Sequence, residues 1–360
     1  MVIAADSGGF LHHINLARVY RGGERQTEIL IRGLAAHLPR QRLITRRGMP
    51  LHTRLGNTPG IEVIPVDGRL EAFMATAGAI LLHAHETRGA QVSCLRHGLS
   101  STPYIITRRV DNRPRPDPLT RYMYRRAATV VVLSRTIGEV LADSEPRAII
   151  QRIPSVVSDF PSDKAWVRQY RESLKGKFLV GQVAALDNSH KGQLVLIESA
   201  RRIASSCPDI QFVLVGDGRD EQRIREAAAD LSNVSFTGWV ENVGDYLAAF
   251  DLFVLPSLRE GLGSVLLDAM QFGLPIVASA VGGIPDIVID AENGTLVPPG
   301  NSDELTEAIL RLYRDGGLRN AMSVAARRRA EQYRPEVMIE RYWRLYQDIT
   351  RISHRGRSKP

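Results

Sequence analysis

The stretch from Asp251 to Pro285 constrains the fold more than any other part of the chain. Its first run, DLFVLP, is short, apolar and ends in proline, which predicts a buried parallel strand that delivers the chain into a loop. GLGSV then has glycines where the backbone must turn, and VLLDAMQFG has helical spacing with Gly273 as its stop. PIVAS follows as the next strand. The alternation predicts an α/β fold with a parallel sheet.

Two acids stand eight positions apart in this stretch, Glu260 in the loop and Asp268 in the helix. The backbone N–H groups at the start of a helix have no intrahelical partners and suit phosphate or sugar oxygens. Open α/β sheets bind ligands at the carboxyl ends of their strands, where this loop begins. We therefore expect Glu260 and Asp268 to mark the start and the wall of one binding cleft.

The length and the cysteines narrow the class of protein. The 360 residues are enough for two domains, each with its own core. No apolar run is long enough to cross a membrane, and the first residues lack the pattern of a secretory signal. Cys94 and Cys207 fall in different predicted domains, and no Cys/His cluster has zinc-ligand spacing. We expect a cytoplasmic protein without a disulfide framework.

The positive charge is concentrated in the first half of the chain. Residues 1–175 contain 26 Lys and Arg against 15 Asp and Glu, whereas the remainder has 21 against 24. This asymmetry favours an anionic partner such as anionic lipid or a phosphorylated glycan, with an ordinary solvated basic surface as the alternative. Nucleic acid is disfavoured, because no aromatic platform or reader motif accompanies the arginines.

Two further segments carry candidate site residues. RGGERQ opens a helix after the first strand, FLHHINLAR, and places Gly22 and Gly23 at the turn. GAILLHAHE is an apolar strand ending in His83 and His85, and His85 lies at the predicted carboxyl end. We expect these two histidines to share a metal only if the strand ends between them, and we predict no metal site.

The stretch around Glu260 resembles the signature of the retaining, nucleotide-sugar-dependent glycosyltransferases of family 4. The match consists of Glu260, a glycine turn, Asp268-Ala269 and GLPIVAS, and NGTLVPPGNSDELTEAI further on is similar to the family as well. The resemblance implies the GT-B fold, with two Rossmann-like, doubly wound parallel-sheet domains facing a central cleft. It implies that Glu260 touches the donor sugar and that Asp268, where the family has Glu, holds the ribose. The turn itself would bind donor through Gly261, Leu262, Gly263, Ser264 and Val265.

The resemblance assigns roles to other donor-side positions. RGGERQ is close to a GG-x-E run of the family, so Gly22 and Gly23 would approach the donor phosphates or line the acceptor cleft. Lys191 would grip the pyrophosphate, although the arginine that accompanies it in the family falls on Ala185. Trp239 and Val240 would contact the nucleotide base through backbone groups, with a core tryptophan as the alternative.

On the acceptor side, many family members carry a Thr-x-His whose imidazole lies near the transferred sugar. Here the positions are Thr107, Arg108 and Arg109. Arg109 therefore replaces the histidine and would bind an anionic acceptor or phosphate, unless it is an inert surface arginine. We take His85 and Arg109, with Glu260 and Lys191, as the candidate catalytic residues.

These observations predict three segments. Residues 1–165 form an acceptor-binding domain, 166–335 a nucleotide-sugar-binding domain, and 336–360 a helix that crosses back to the first domain plus a basic tail; the boundary is expected between 155 and 177. The implied function is transfer of a sugar with retained anomeric configuration in bacterial lipopolysaccharide or other cell-surface glycan synthesis. The co-substrate is a nucleotide sugar, and we expect no metal or other cofactor.

The expected acceptor is a glycan or glycolipid at the inner face of the cytoplasmic membrane, with peripheral contact through the basic domain. Three alternatives stay open: a catalytically silent sugar-nucleotide-binding protein, a nucleotide-sugar epimerase of the same fold, and a basic nucleic-acid binder.

Overall fold

A computed structural model describes residues 10–38 and 40–357, with the side chains of 352–357 outside that description. The chain divides into two compact units: unit 1 comprises the described residues up to Val156 and from Arg334 onward, and unit 2 comprises Val157–Tyr333. This boundary lies inside the 155–177 window and nine residues before the predicted 165/166. Val157 is the first residue of unit 2, and its backbone N–H donates to the carbonyl of Tyr333, the last residue of that unit.

Helices and strands alternate along both units. The strands of unit 1 are β1 (Phe10–Asn15), β2 (Gln41–Arg46), β3 (Ile61–Val66), β4 (Ala79–Ala84), β5 (Tyr104–Arg108), β6 (Thr129–Val132) and β7 (Ile150–Arg152). Those of unit 2 are β8 (Phe178–Val183), β9 (Ile210–Val215), β10 (Val234–Gly238), β11 (Leu252–Leu255), β12 (Ile276–Ser279) and β13 (Gly294–Val297). The first helices, in unit 1, are α1 (Gly22–Leu34), α2 (Pro50–Leu55), α3 (Arg69–Ala75), α4 (Thr87–Ser100), α5 (Pro118–Arg126) and α6 (Arg135–Ser144). Unit 2 has α7 (Lys164–Ser173), α8 (Asn188–Lys191), α9 (Gln193–Ala204), α10 (Glu221–Ala227), α11 (Val243–Ala249), α12 (Val265–Gln271), α13 (Ile284–Ile287), α14 (Ser302–Arg314) and α15 (Gly316–Ala330), and α16 (Pro335–Arg357) belongs to unit 1.

Each unit contains one parallel sheet. The order is β3-β2-β1-β4-β5-β6-β7 in unit 1 and β10-β9-β8-β11-β12-β13 in unit 2. The strand order reverses between β1 and β4 and again between β8 and β11, which is the doubly wound arrangement predicted from the sequence. Ligands of such sheets bind beyond the carboxyl ends of the strands at these two switch points.

Side-chain caps mark the starts of several helices. Ser134 caps α6, accepting a hydrogen bond from the Ile137 N–H. Asn301 caps α14 in the same way. Helix α1 ends at Leu34, whereas the apolar spacing of the sequence continues to Leu38.

The long helix α16 packs within unit 1. A Cβ added to Gly33 of α1 would lie 2.0 Å from Ile339 Cδ1, so the two helices approach closely. Helix α16 continues to Arg357, through most of the predicted basic tail of residues 352–360, and the last three residues of that tail lie outside the described residues. None of the described helices has both the length and the apolarity needed to span a membrane.

Candidate active site

At the switch point of unit 2, the chain brings Lys191 and Glu260 into direct contact. Lys191 ends α8, and Glu260 lies in the loop that follows β11. The Lys191 ammonium donates to Glu260 Oε2 at 2.5 Å, and Ser257 Oγ donates to the same oxygen at 3.3 Å. The pair is largely buried, with 24% of the lysine and 12% of the glutamate side chain exposed. A cation and a carboxylate thus occupy the edge of the sheet where ligands bind.

Backbone contacts join the two loops that carry this pair. The N–H groups of Leu258 and Arg259 both donate to the carbonyl of His190, at 2.8 and 3.2 Å. Gly192 has a φ of +64°, and a Cβ at this position would lie 2.0 Å from the Pro256 carbonyl oxygen. Only glycine fits there, so the sequence Lys191-Gly192 reflects the close approach of the two loops.

The Glu260 backbone is held from its other side by the turn after β12. Gly283 N–H donates to the Glu260 carbonyl at 3.1 Å. Gly282 has a φ of +57°, and a Cβ there would lie 1.7 Å from the same carbonyl oxygen. The turn AVGGIP therefore clamps the main chain of Glu260 and limits the positions of its side chain.

Two glutamines that the sequence analysis did not identify stabilise the Lys191 loop through hydrogen bonds to its backbone. Gln182 Nε2 donates to the Lys191 carbonyl at 3.2 Å, and Gln193 Nε2 donates to the Ala185 carbonyl at 2.8 Å. Both side chains are fully buried, and each Oε1 is buried without a hydrogen-bond partner among the described residues. A buried amide leaves no pattern that sequence periodicity can detect.

Arg219 places a second cation beside the Lys191 loop, four residues after β9. Its Nη2 donates to Asp187 Oδ1 at 2.8 Å and to Ser189 Oγ at 2.5 Å. Partial burial opposes ionisation of Asp187, but hydrogen bonds from Ser189, His190 and Arg219 lower its pKa to about 2. The Arg219 side chain is 63% exposed. Arg219 therefore lies at the edge of the sheet where the family resemblance expects an arginine and this sequence has Ala185.

The predicted donor turn does not offer every side chain to a ligand. Leu262 is buried in the core at 4% exposure, so only its backbone can face a donor. Ser264 precedes α12 without capping it, and Gly261, Ser264 and Val265 are half-buried. Gly263 adopts a φ of +81°. The turn is a backbone element rather than a set of binding side chains.

The Asp268 carboxylate is buried and hydrogen-bonded to Ser158. It is 5% exposed, its Oδ1 accepts from the Ser158 N–H at 2.6 Å, and its Oδ2 accepts from Ser158 Oγ at 3.3 Å. This aspartate is one methylene shorter than the family's glutamate, and in the structure it holds the first segment of unit 2. The expected contact with ribose hydroxyls would require Ser158 to share this carboxylate.

Trp239 lies on the surface just after β10, at the same edge of the sheet. It is 69% exposed, and Val240 is half-buried. The alternative of a core tryptophan is therefore wrong. An exposed aromatic ring at a ligand-binding edge suits a nucleobase.

In unit 1, Arg109 lies against the first turn of α1. A Cβ added to Gly23 would be 3.3 Å from Arg109 Cδ, and Gly22 is the first residue of the helix. Arg109 is half-buried, and its Nε is buried without a hydrogen-bond partner among the described residues. Burial lowers the pKa of the Arg109 guanidinium, whereas electrostatic interactions with Tyr342 and Glu24 act to raise it. A buried cation beside a helix amino terminus attracts anions.

His85 belongs to a buried cluster with His13 and His83 at the switch point of unit 1. His13 Nδ1 and His85 Nε2 are 3.0 Å apart, and the rings of His83 and His85 are centred 4.0 Å apart. Strand β4 ends at Ala84, between the two histidines. The expectation that a shared metal requires the strand to end there was wrong, because positions two apart share one face of a strand. Among the described residues, the three histidines are the one group of three or more His, Cys, Asp or Glu side chains whose ligand atoms lie within 4.8 Å of one another.

Five of the six ring nitrogens of the cluster have protein partners. His13 Nε2 lies 3.2 Å from Gln41 Oε1, so that nitrogen carries the proton. His83 lies 2.7 Å from both Tyr346 OH and Thr107 Oγ1. His85 Nδ1 is buried without a partner among the described residues. No carboxylate takes part, so the contacts describe a neutral hydrogen-bonded network.

The comparisons with known proteins agree with this geometry. Residues 177–315, which carry Lys191 and Glu260, match the family model described as Glycosyl transferases group 1. A phosphatidyl-myo-inositol mannosyltransferase of Mycobacterium leprae is 24% identical over 357 residues, 95% of this chain and 93% of that protein. Residues 177–315 are therefore similar to the group 1 glycosyl transferases.

Other relatives match shorter parts of the chain. A GDP-mannose-dependent monoacylated alpha-(1-6)-phosphatidylinositol monomannoside mannosyltransferase of Corynebacterium glutamicum is 36% identical over 172 residues, so the chain spans about half the length of that relative, 45%. Among solved structures, HepE of Anabaena in complex with UDP has a TM-score of 0.82 at 18% identity, covering 94% of this chain and 100% of that one. This likeness confirms the GT-B fold.

A surface hollow of about 360 Å³ in unit 2 lies away from this site. Phe178, Asp209 and Asp251 line it, at the amino ends of β8, β9 and β11. Arg171 pairs with Asp251 at 2.7 Å, and Tyr313 donates to Asp209 at 2.5 Å. The hollow lies at the edge opposite to the one where such sheets bind ligands, so we assign no ligand to it.

Proposed function

We propose that this protein transfers a sugar from a nucleotide-sugar donor to a glycan or glycolipid acceptor, with retention of the anomeric configuration. The observation that carries the proposal is the contact between Lys191 and Glu260 at the switch point of unit 2, within the segment that matches the family. The cation stabilises the departing diphosphate and the carboxylate contacts the donor sugar. The pair is pre-formed, so a donor phosphate competes with Glu260 for the ammonium when it enters.

Arg219 is our candidate for the second cation on the diphosphate. A leaving nucleoside diphosphate gains negative charge, and a bidentate guanidinium is well suited to it. Arg219 is held at the Lys191 loop through Asp187 and Ser189 and is more than half exposed. We propose that it compensates for Ala185.

Trp239 is our candidate contact for the base. Its exposed ring follows β10 at the ligand-binding edge, where the family resemblance assigns the base. HepE was solved with UDP and the Corynebacterium relative is GDP-mannose-dependent, so UDP-sugars and GDP-sugars are the first donors to test.

Unit 1 is proposed to bind the acceptor. The Arg109 guanidinium, whose Nε has no hydrogen-bond partner among the described residues, lies beside Gly23 and suits a phosphate or another anion on the acceptor. His85 carries a buried ring nitrogen without a partner in the same unit. Relatives of the chain include phosphatidylinositol mannosyltransferases and a lipopolysaccharide core glycosyltransferase of Rhizobium meliloti. A phosphorylated glycolipid of a bacterial cell envelope, made in the cytoplasm, fits these residues. We propose that no metal is required, because Lys191 and Arg219 supply the positive charge.

The test is a panel of UDP-, GDP- and ADP-sugars in the presence of EDTA, measured by calorimetry and by release of the nucleoside diphosphate. We expect the nucleotide sugars of one base to bind with a micromolar Kd. Their sugar should be transferred slowly to water, with release of the nucleoside diphosphate. Arg219→Ala should weaken donor binding about 10-fold, whereas Arg223→Ala, an exposed arginine on α10, should not. The proposal fails if no nucleotide sugar binds. Loss of activity in EDTA that zinc restores would instead assign a metal to the three histidines.

A catalytically silent nucleotide-sugar-binding protein is the second candidate. Ala185 and the engagement of Asp268 by Ser158 favour it, because both weaken the donor site relative to the family pattern. In that case a nucleotide sugar from the same panel would bind, but no nucleoside diphosphate would be released, whether or not an acceptor is added.

A further inference from the structure

Helices α3, α4 and α5 form one layer on the unit 1 sheet. Helix α4 contacts both neighbours. Arg69 of α3 donates to Gln91 of α4 at 2.9 Å, and Arg126 of α5 lies 3.3 Å from His97 of α4. The inner face of α4 is buried through Ala90, Val92 and Cys94, among others. The opposite face of this layer is exposed to solvent, and we call it the α3–α5 face.

The α3–α5 face carries large apolar side chains that nothing in unit 1 covers. Six of the eleven most exposed large apolar side chains in the described part of the protein lie on these three helices. They recur three or four positions apart on each helix, so each pair projects from one side. Their exposed fractions run from 46% to 77%: Leu70, Met74, Leu95, Leu99, Leu119 and Tyr122.

The same segment holds most of the excess positive charge. Residues 69–126 contain ten arginines and four acids, so they contribute six of the eight net charges of the whole chain. Three of the acids are turned to the backbone: Glu71 accepts from the Asp67 N–H, Glu86 from two N–H groups of α4, and Asp117 from Thr120. Seven of the arginines are exposed: Arg69, Arg88, Arg113, Arg115, Arg121, Arg125 and Arg126.

We propose that the α3–α5 face docks onto an anionic lipid bilayer, with its apolar side chains entering the headgroup region and its arginines contacting lipid phosphates. Exposed apolar groups interleaved with basic residues are what an interfacial membrane surface requires, since each contribution alone binds weakly. A symmetric contact between two copies would place the same arginines opposite each other, which disfavours self-association. The inference uses the proposed function only to explain the purpose of the contact, which is access to a membrane-bound acceptor.

The test is sedimentation of the full-length protein with vesicles of phosphatidylcholine, with and without about one third phosphatidylglycerol. We expect binding only to the anionic vesicles and weaker binding at high salt. Leu95→Gln/Leu99→Gln should reduce the partition coefficient about 10-fold. Arg88→Gln/Arg126→Gln should reduce it by a similar factor. The matched control is Ile149→Gln/Val324→Gln, which removes two equally exposed apolar side chains elsewhere and should bind as wild type.

Two results would overturn the inference. One is absence of binding to anionic vesicles, or binding that the α3–α5 variants leave unchanged. The other is a lipid-free protein that forms dimers or captures an acidic protein through this face, seen as a shift in sedimentation velocity that Leu95→Gln/Leu99→Gln abolishes. Nucleotide release from the donor in lipid-free solution is measured on every variant, because failure of the donor chemistry would change that rate and leave vesicle binding intact.

Discussion

Lys191→Ala and Glu260→Gln are each expected to lower kcat for sugar transfer about 100- to 1000-fold. Lys191 is the cation nearest the predicted diphosphate, and its loss leaves the developing charge without its main partner. Glu260→Gln keeps the shape of the side chain, and Ser257 can still donate to its oxygen, but the charge in contact with the sugar is lost. Steady-state kinetics with saturating donor would measure both effects.

Three further variants serve as controls for this prediction. Lys175→Ala and Glu307→Gln remove the same charges from exposed positions of unit 2 and should retain wild-type kcat. The double variant Lys191→Ala/Glu260→Gln should lose about as much as either single variant, because the two groups act as one unit. Near-wild-type kcat in either single variant, with melting temperatures unchanged, would remove the pair from the mechanism.

Lowering the pH from 7 to 5 is expected to destabilise unit 1 by several kcal/mol and to leave unit 2 much less affected. Burial, followed by the charge of Arg42, lowers the pKa of His12 to about 3, and burial lowers that of His13 to about 4 against an opposing hydrogen bond to Gln41. Burial, neighbouring imidazoles and Arg109 hold the pKa values of His83 and His85 well below 6.5.

The sign of the effect follows from proton binding. All four histidines are neutral in the native state, whereas in the unfolded chain they take up protons below about pH 6.5. The unfolded state therefore binds more protons, and the stability present above pH 6.5 is lost as the pH falls. At pH 5 each histidine costs up to about 2 kcal/mol, and four of them approach the total stability of an ordinary domain.

The tryptophans allow each unit to be observed separately. Trp343 lies in unit 1, and Trp166 and Trp239 lie in unit 2. Urea unfolding of Trp166→Phe/Trp239→Phe reports unit 1, and unfolding of Trp343→Phe reports unit 2, whose one histidine is His190. We expect the urea midpoint to fall between pH 7 and pH 5 for the first variant only. Equal shifts of the urea midpoint for both units would contradict the assignment of the buried neutral histidines. No shift in the variant that retains Trp343 would contradict it as well.

Much of the fold could be predicted because each element has a local signal. Apolar runs ending in Pro or Gly marked the strands, and side-chain caps such as Ser134 and Asn301 marked helix starts. Apolar spacing continues to Leu38, but α1 ends at Leu34, so periodicity alone does not place the end of this helix.

The site was only partly predictable, since its supporting contacts depend on register between distant strands. Family resemblance pointed to Lys191 and Glu260, which the structure brings together. It did not indicate Gln182 and Gln193, whose amides hold the loop, or Arg219, which comes from another strand end. The bond between Ser158 and Asp268 joins residues 110 positions apart, and no local pattern reports such a contact.

The most direct test of the central claim is time-resolved proton NMR of the protein with the donor that binds in the panel, using water as the acceptor. The proposed function predicts that the donor's anomeric signal decays and that the free sugar appears first in the donor's anomeric configuration, before mutarotation. Lys191→Ala should slow this decay about 100-fold or more. First appearance of the opposite anomer would contradict retention, and a donor signal that never decays would contradict transferase activity.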